Sequence, residues 1–396
     1  MDLLLATNYV IAFFSIFVVN VFLIIFFQHR NENLKKVLKS DWEPTVSIVV
    51  PAYNESAYIK ESIESLLTLD YPKEKLDLII IDDGSTDDTY KIAKSFEKSG
   101  SPIRAFTKQN AGKGAALNFG ISKARGELIA TMDADSYPSS NVIRDLLPYF
   151  DDKKVMAVTP SIKIKESNSI VKELQRVEYL LILFSRKMLS FIDSVPVTPG
   201  PFSLFRAEVF NIVGGFDEHN LVEDVEMALR IQAANFKIRS SMTADVYTEP
   251  PEKIGDLMKQ RVRWQRGGIR NYWNYRKLIK PEYGDFGMYF VPLNFASLIA
   301  LFVVFGLMIY SIVSTPSYVK YIWFESFGLG VGLFTFVGAF VIISAAFMLH
   351  LAISSFGNER VRPTSFLSFL FLYWFFTLGY NIMFIVKEIR HEGSSW

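Results

Sequence analysis

Four stretches of the chain, at about residues 3–27, 286–314, 327–349 and 363–386, carry no charged side chain. Each is long enough for a helix of about 20 residues, which crosses a hydrocarbon core of roughly 30 Å. Their Phe, Gly and Tyr content suits membrane spans better than buried core helices. The first reads as a retained anchor, because Asp2 stands where a cleaved leader would be basic and no small-x-small site follows. Between the first two stretches the pattern changes. Short apolar runs at 46–50, 78–81, 128–132 and 155–158 are β-branched or turn-bounded, as strands covered on both faces are. Helical periodicity separates them at 56–69, 87–98, 111–124 and 141–150. This alternation predicts an α/β fold with a doubly wound, mostly parallel sheet, in which ligands bind beyond the carboxyl ends of strands. Over 170–188, Ile170, Leu174, Val177, Leu181, Phe184 and Met188 oppose Lys172, Gln175, Arg176 and Lys187. That pattern suits a helix in the membrane interface and one packed on the α/β core equally well.

The expected organisation is an anchor over 1–29, an α/β domain over 30–250, an interfacial helical region over 251–285 and about three spans over 286–396. Basic residues orient it. His29, Arg30, Lys35, Lys36 and Lys39 follow the first stretch, Arg276, Lys277 and Lys280 precede the second, and Arg360 and Arg362 lie between the last two. If every stretch crosses, all of these share one side, and the positive-inside rule places 28–285 in the cytoplasm of a multi-pass plasma-membrane protein. The other side then holds Lys320 and the tail residues Lys387 and Arg390, an arrangement the rule allows without favouring.

Composition narrows the chemistry. In 396 residues, 42 Lys and Arg face 41 Asp and Glu, so no overall basic field calls for nucleic acid. The absence of cysteine excludes disulfides, thiolate metal sites and thiol nucleophiles. Neither a G-x-G-x-x-G after a strand nor a P-loop is present.

Candidate chemistry gathers at the strand ends. The first strand runs into Pro51-Ala52-Tyr53-Asn54-Glu55 and the second into Asp82-Asp83-Gly84-Ser85. Turn and cap chemistry accounts for Gly84 and for one of Ser85, Thr86 or Asp87, but not for Asp82 and Asp83. A carboxylate there can accept hydrogen bonds from a base or ribose, and Tyr53 offers an apolar face. The 128–132 strand leads into Asp133-Ala134-Asp135, two acids that can turn together onto one Mg²⁺ or Mn²⁺ ion. Asn110-Ala111-Gly112-Lys113-Gly114 precedes a helix and suits either a diphosphate or a flexible turn. Thr198-Pro199-Gly200 precedes a short strand at 202–205. In Val222-Glu223-Asp224, a carboxylate at a helix start can serve as general base, although the helix dipole alone favours acids there. Gln260, Arg263 and Trp264 share one helical face, as a phosphate and sugar site or an interfacial anchor would have them.

Taken in order, these motifs resemble the signature of the processive family 2 glycosyltransferases, the group of hyaluronan, chitin, cellulose and poly-N-acetylglucosamine synthases. The resemblance covers about residues 45–390. It implies an A-type glycosyltransferase fold, an inverting mechanism and a UDP-sugar donor. By position it implies that Ala52, Tyr53, Glu55 and Asp83 hold the uridine, and that Lys113 and Asp133 hold the diphosphate. Asp135 would bind the metal and Asp224 would be the base. Gln260, Arg263 and Trp264 would bind diphosphate and acceptor sugar, with the acceptor end resting at Gly200. The implied partners are the nucleotide sugar, a polysaccharide or lipid-linked glycan acceptor, the bilayer and an oligomeric or accessory subunit. The best-known synthases of this group carry two or more spans before the catalytic domain, where this chain carries one.

Overall fold

The computed structural model describes residues 3–30, 40–165, 169–314, 333–356, 359 and 361–390. After α1 (Leu3–Gln28), the chain enters β1 (Val46–Ala52), α2 (Ile59–Leu67), β2 (Leu76–Asp82), α3 (Thr89–Ser95), β3 (Ile103–Thr107), α4 (Lys113–Lys123) and β4 (Leu128–Thr131). These four strands pair in parallel in the order β3-β2-β1-β4. The Val-Ser-Ile-Val-Val run of β1 has no polar face because both faces are covered. Val46, Ile48 and Val50 pack with Ile59, Ile63 and Leu66 of α2. Val49 packs on the other side with Ala116 and Leu117 of α4. Ser47 is buried yet satisfied, its Oγ accepting from the Arg125 and Gly126 amides at 3.0 and 2.9 Å.

The second half of the sheet departs from the expected parallel arrangement. It contains β5 (Ser136–Pro138), β6 (Val155–Ile164), β7 (Ser203–Arg206) and β8 (Lys237–Thr248), with α5 (Val142–Leu146), α6 (Ile170–Phe191), α7 (Glu208–Val213) and α8 (Glu223–Ala233) between them. The full order is β3-β2-β1-β4-β7-β6-β8-β5. Strand β7 is antiparallel to both β4 and β6, β5 is antiparallel to β8, and only β6 and β8 are parallel. The sheet is mixed rather than mostly parallel. A short buried run such as Phe202–Phe205 announces a strand but carries no signal of direction, since either direction buries both faces.

Helix α9 (Ile254–Asn274) leads through a π-helical turn (Phe286–Phe290) to α10 (Val291–Ser314), followed by α11 (Leu333–Ser355) and α12 (Pro363–Ile389). Among the described residues, Phe286–Val303 and Pro363–Ile389 are long and apolar enough to cross a membrane, while Ile16–Gln28 and Ile342–Ser355 form shorter apolar stretches. The start of the expected third span, 327–332, lies outside the described residues, as do Lys35, Lys36, Lys39, Lys320 and Arg360. Of the two readings of α6, the structure shows the packing on the α/β core, with the apolar helices on the helix's other side. Its Leu180, Phe184 and Met188 pack with Ile162 and Met242 of the sheet and with Ile25, Met348, Ala352 and Phe356 of α1 and α11. Even its polar side is covered: Arg186 Nη2 donates to Pro160 O and Lys187 Nζ to Ser240 O, each at 3.0 Å.

Candidate active site

The carboxyl ends of β1 and β2 are bound to each other. Asn54 adopts a left-handed backbone (φ 56°), and its Oδ1 accepts from the Thr86 amide at 2.9 Å. The Ala52 carbonyl accepts from the Asp83 amide at 2.8 Å. Asp83 is buried, and its carboxylate accepts from Lys108 Nζ at 2.6 Å and from the Gly112 amide at 2.8 Å. It thus fixes the loop that leads into α4. Gly84 lies under the same loop, where a Cβ would stand 2.8 Å from the Asn110 amide nitrogen. Tyr53 is exposed at this edge. Burial, then the nearby Asp135, Asp133 and Asp87, push the Glu55 carboxyl up to about 7.

The two aspartates follow the end of β4, and α4 begins with the lysine that meets Asp133. Lys113 Nζ stands 2.6 Å from Asp133 Oδ1 and 3.2 Å from Glu223 Oε1. Burial lowers the affinity of this ammonium for its proton, but Asp133, Glu223 and Asp224 outweigh it and hold the group charged. Burial and Asp133 push the Asp135 carboxyl up to about 7, against the opposing pull of Lys113. Gly200 rests on the ion pair: a Cβ there would lie 2.6 Å from both Asp133 Oδ2 and Lys113 Nζ. The Gly200 carbonyl accepts from the Asp133 amide at 3.0 Å, and Thr198 Oγ1 donates to the Asp224 carbonyl at 2.9 Å. The Thr198–Gly200 turn therefore ties the end of β4 to the start of α8. Burial and Glu223 push the Asp224 carboxyl up to about 6, while Lys113 and Arg263 pull the other way.

Gln260, Arg263 and Trp264 of α9 close the site from the other side. With Lys113, Asp133, Asp135, Gly200 and Asp224 they line one cavity of about 350 Å³. Arg263 Nη1 donates to the Leu221 carbonyl at 3.0 Å, which docks α9 onto the turn before α8. The buried Arg261 lies over the Trp264 ring at 4.2 Å, and its Nε and Nη2 form a two-pronged pair with Glu178 of α6 at 3.0 and 2.5 Å.

Residues 47–213 match the family described as glycosyl transferase family 2. Over this segment the chain is similar to the family 2 glycosyltransferases. It is 27% identical over 379 residues to a poly-beta-1,6-N-acetyl-D-glucosamine synthase of Staphylococcus epidermidis, covering 90% of this chain and 86% of that one. The enzyme of the same name from Staphylococcus aureus (strain COL) is 30% identical over 251 residues, which are 62% of this chain and 60% of that one. A mannosyltransferase from Pyrobaculum calidifontis, in complex with GDP-Man and Mn²⁺, superposes with a TM-score of 0.64 at 19% identity, over 90% of this chain and all of the other. At that identity the likeness is one of fold, the A-type glycosyltransferase fold with its mixed sheet.

Within the chain, the expected residues fall into two groups. Lys113, Asp133, Asp135, Gly200, Asp224, Gln260, Arg263 and Trp264 share the cavity lining, whereas Ala52, Tyr53, Glu55 and Asp83 lie outside it at the ends of β1 and β2. Among the described residues no cluster of three or more acids or histidines forms a metal cage. Asp133 and Asp135 nonetheless fit a hard divalent cation. They supply two carboxylates, burial and then the neighbouring Asp133 favour a proton on Asp135 that a cation would replace, and a Mg²⁺-like ion ordinarily completes its shell with phosphate oxygens and water. The sequence reading missed Arg186, Tyr179 and Tyr272, which also line the cavity. Arg186 is buried, and its Nε has no hydrogen-bond partner among the described residues. Nothing in the local pattern of α6 marked it, since it reads there as one more basic residue on a polar face.

Proposed function

We propose that this chain is a multi-pass glycosyltransferase of the plasma membrane. In this reading it transfers a sugar, with inversion, from a UDP-sugar to a growing polysaccharide at the cytoplasmic face. The observation that carries the reading is the single cavity in which a carboxylate base, a charged lysine among acids and an Arg-Trp face meet. The similarity to poly-beta-1,6-N-acetyl-D-glucosamine synthases over 90% of the chain makes UDP-N-acetylglucosamine the first donor to test.

Asp224 takes the proton of the acceptor hydroxyl as its oxygen bonds to the anomeric carbon and the bond from that carbon to the diphosphate breaks. Lys113 and Arg263 face the negative charge that develops on the departing UDP, where fixed cations help most. Mg²⁺ or Mn²⁺, held by Asp135 with Asp133, would add positive charge at the same place. Ala52, Tyr53, Glu55 and Asp83 form the nucleoside edge, and Trp264 with Gln260 receives the acceptor sugar. Helices α1, α10, α11 and α12 hold the domain at the membrane.

The test is detergent-purified protein incubated with a panel of UDP- and GDP-sugars and either metal, with released nucleotide and product size measured. Long polymer from one UDP-sugar is expected. Addition of a single sugar to a lipid-linked acceptor would replace the polymerase reading with a non-processive one, and no nucleotide release from any donor would remove the enzyme reading.

A further inference from the structure

Helix α12 meets the α/β domain differently from the other apolar helices. Among the described residues, α1, α10 and α11 pack on that domain near one end each, through Ile25, through Phe290 and Val291, and through Met348, Ala352 and Phe356. A helix that crosses a bilayer away from the domain makes contacts of this kind. The two ends of α12 are both tied to the domain. Just before its start, Glu359 accepts from Arg176 Nε of α6 at 3.0 Å and lies 3.5 Å from Lys163 Nζ of β6. At its end, Glu388 accepts from Arg266 Nε and Arg270 Nη2 of α9, each at 2.6 Å.

The middle of the helix follows the same surface. A Cβ at Gly379 would stand 3.1 Å from Met258 Cε of α9. Tyr380 lines a second cavity, of about 470 Å³, together with Arg261 and Trp264. Helix α9 is itself pinned to the domain, by Arg261 on Glu178 and by the Asn271 amide on the Val222 carbonyl at 3.2 Å. A helix of 27 residues is about 40 Å long, longer than the roughly 30 Å hydrocarbon core. One end of a crossing helix would be out of reach of a domain that stays on one side.

On the side away from the domain, Leu367, Phe371, Phe375, Ile382, Val386 and Ile389 are exposed at helical spacing, an apolar stripe along nearly the full length. We infer that α12 does not cross the membrane but lies in the plane of its surface, with this stripe in the lipid and its opposite face on α6 and α9. The inference rests on the proposed membrane attachment through α1, α10 and α11. Its occupant is the lipid bilayer, because α12 is apolar along nearly its whole length and, with both ends tied to the domain, turns this exposed stripe outward. It also accounts for the tail. With three crossings in place of four, Lys387 and Arg390 fall on the side of the catalytic domain, as the positive-inside rule favours.

The chain has no cysteine, so single cysteines report cleanly. Full-length protein in sealed cells is labelled with a membrane-impermeant maleimide at Glu97→Cys in the α/β domain and, separately, at Ser395→Cys in the tail. The two positions are expected to behave alike, both shielded until the membrane is permeabilised. Opposite accessibility of the two positions overturns the inference, whereas exposure of both in intact cells would overturn the cytoplasmic orientation and leave the inference standing. Spin labels at Leu367→Cys, Phe375→Cys and Val386→Cys give a second reading that does not depend on the other spans. Oxygen and nickel-chelate collision rates are expected to place all three at similar shallow depth. A centre at Phe375 far deeper than both flanking positions would mean that α12 crosses.

Discussion

Asp224 opens α8 with its carboxyl pushed up to about 6, so at neutral pH it is largely ionised while still holding a proton better than an ordinary aspartate. A base of that strength suits removal of a hydroxyl proton as the new bond forms. The transfer rate is expected to climb as pH rises through about 6 and then level; a rate flat from about pH 5 to about pH 8 would count against this residue. Asp224→Asn keeps the shape and is expected to slow transfer about 10²–10⁴-fold while nucleotide still binds. The same shift predicts a stability effect of definite sign. A carboxyl that titrates higher in the fold than in the unfolded chain stabilises the fold below its unfolded value of 3.8, and that contribution is lost as pH rises through about 6. Asp224→Asn should therefore raise Tm relative to the parent at neutral pH, with the gap closing towards about pH 4. Asp135→Ala removes one hard oxygen ligand and should weaken metal and donor binding together; an unchanged metal titration would place the cation elsewhere. These acids were readable in the sequence because each follows an apolar run at a strand end or opens a helix. Glu178 and Arg186 were not, because their meaning comes from partners far along the chain: Glu178 meets Arg261 across 83 positions.

At the scale of elements, the runs at 46–50, 78–81, 128–132 and 155–158 all became strands, for they were buried on both faces and short. Strands β3 and β8 escaped notice for a physical reason. The edge strand β3 is only five residues long and its apolar residues are interrupted by Arg104 and ended by Thr107, and β8 buries Ser240 and Ser241 where an apolar run would have announced it. Helix starts moved inward as well. Expected from 56, α2 begins at Ile59, because the Ser56 amide is taken by Asp87 Oδ2 at 3.1 Å and the Tyr58 amide by the Glu55 carbonyl. In α9 the Gln-x-x-Arg-Trp face was visible from periodicity alone, but its rigidity was not. Trp264 is held under Arg261, which Glu178 fixes in turn, so the indole is fixed as the proposed acceptor platform requires. Trp264→Ala should weaken acceptor binding about fivefold or more, from roughly 1 kcal/mol of lost stacking, and shorten the product, with donor affinity much less affected. Long polymer at the normal rate would sink the platform role, and an equal fall in donor hydrolysis and elongation in folded protein would make Trp264 an anchor.

At the scale of the whole molecule, α6 makes the catalytic domain and the apolar helices one structure. One side of Phe184, Leu180 and Met188 meets the sheet through Ile162 and Met242, and the other meets Ile25, Met348, Ala352 and Phe356. A fragment of residues 40–280 would keep the first side and lose the second. Uncovering roughly 200–300 Å² of apolar surface at about 25 cal/mol per Å² costs roughly 5–8 kcal/mol. A typical domain has about 5–15 kcal/mol in total. The fragment would also leave Arg266 and Arg270 without Glu388 and Arg176 without Glu359. The fragment is therefore expected to aggregate in plain buffer and to stay monodisperse only with bound detergent. Its measured Tm should fall well below that of the full chain in the same detergent. Size-exclusion chromatography with and without detergent, followed by thermal unfolding, checks both points. A detergent-free fragment that is monomeric and unfolds as cooperatively as the full chain would show that the α/β domain is self-sufficient and that α6 needs no cover, in which case the apolar helices serve only as a tether.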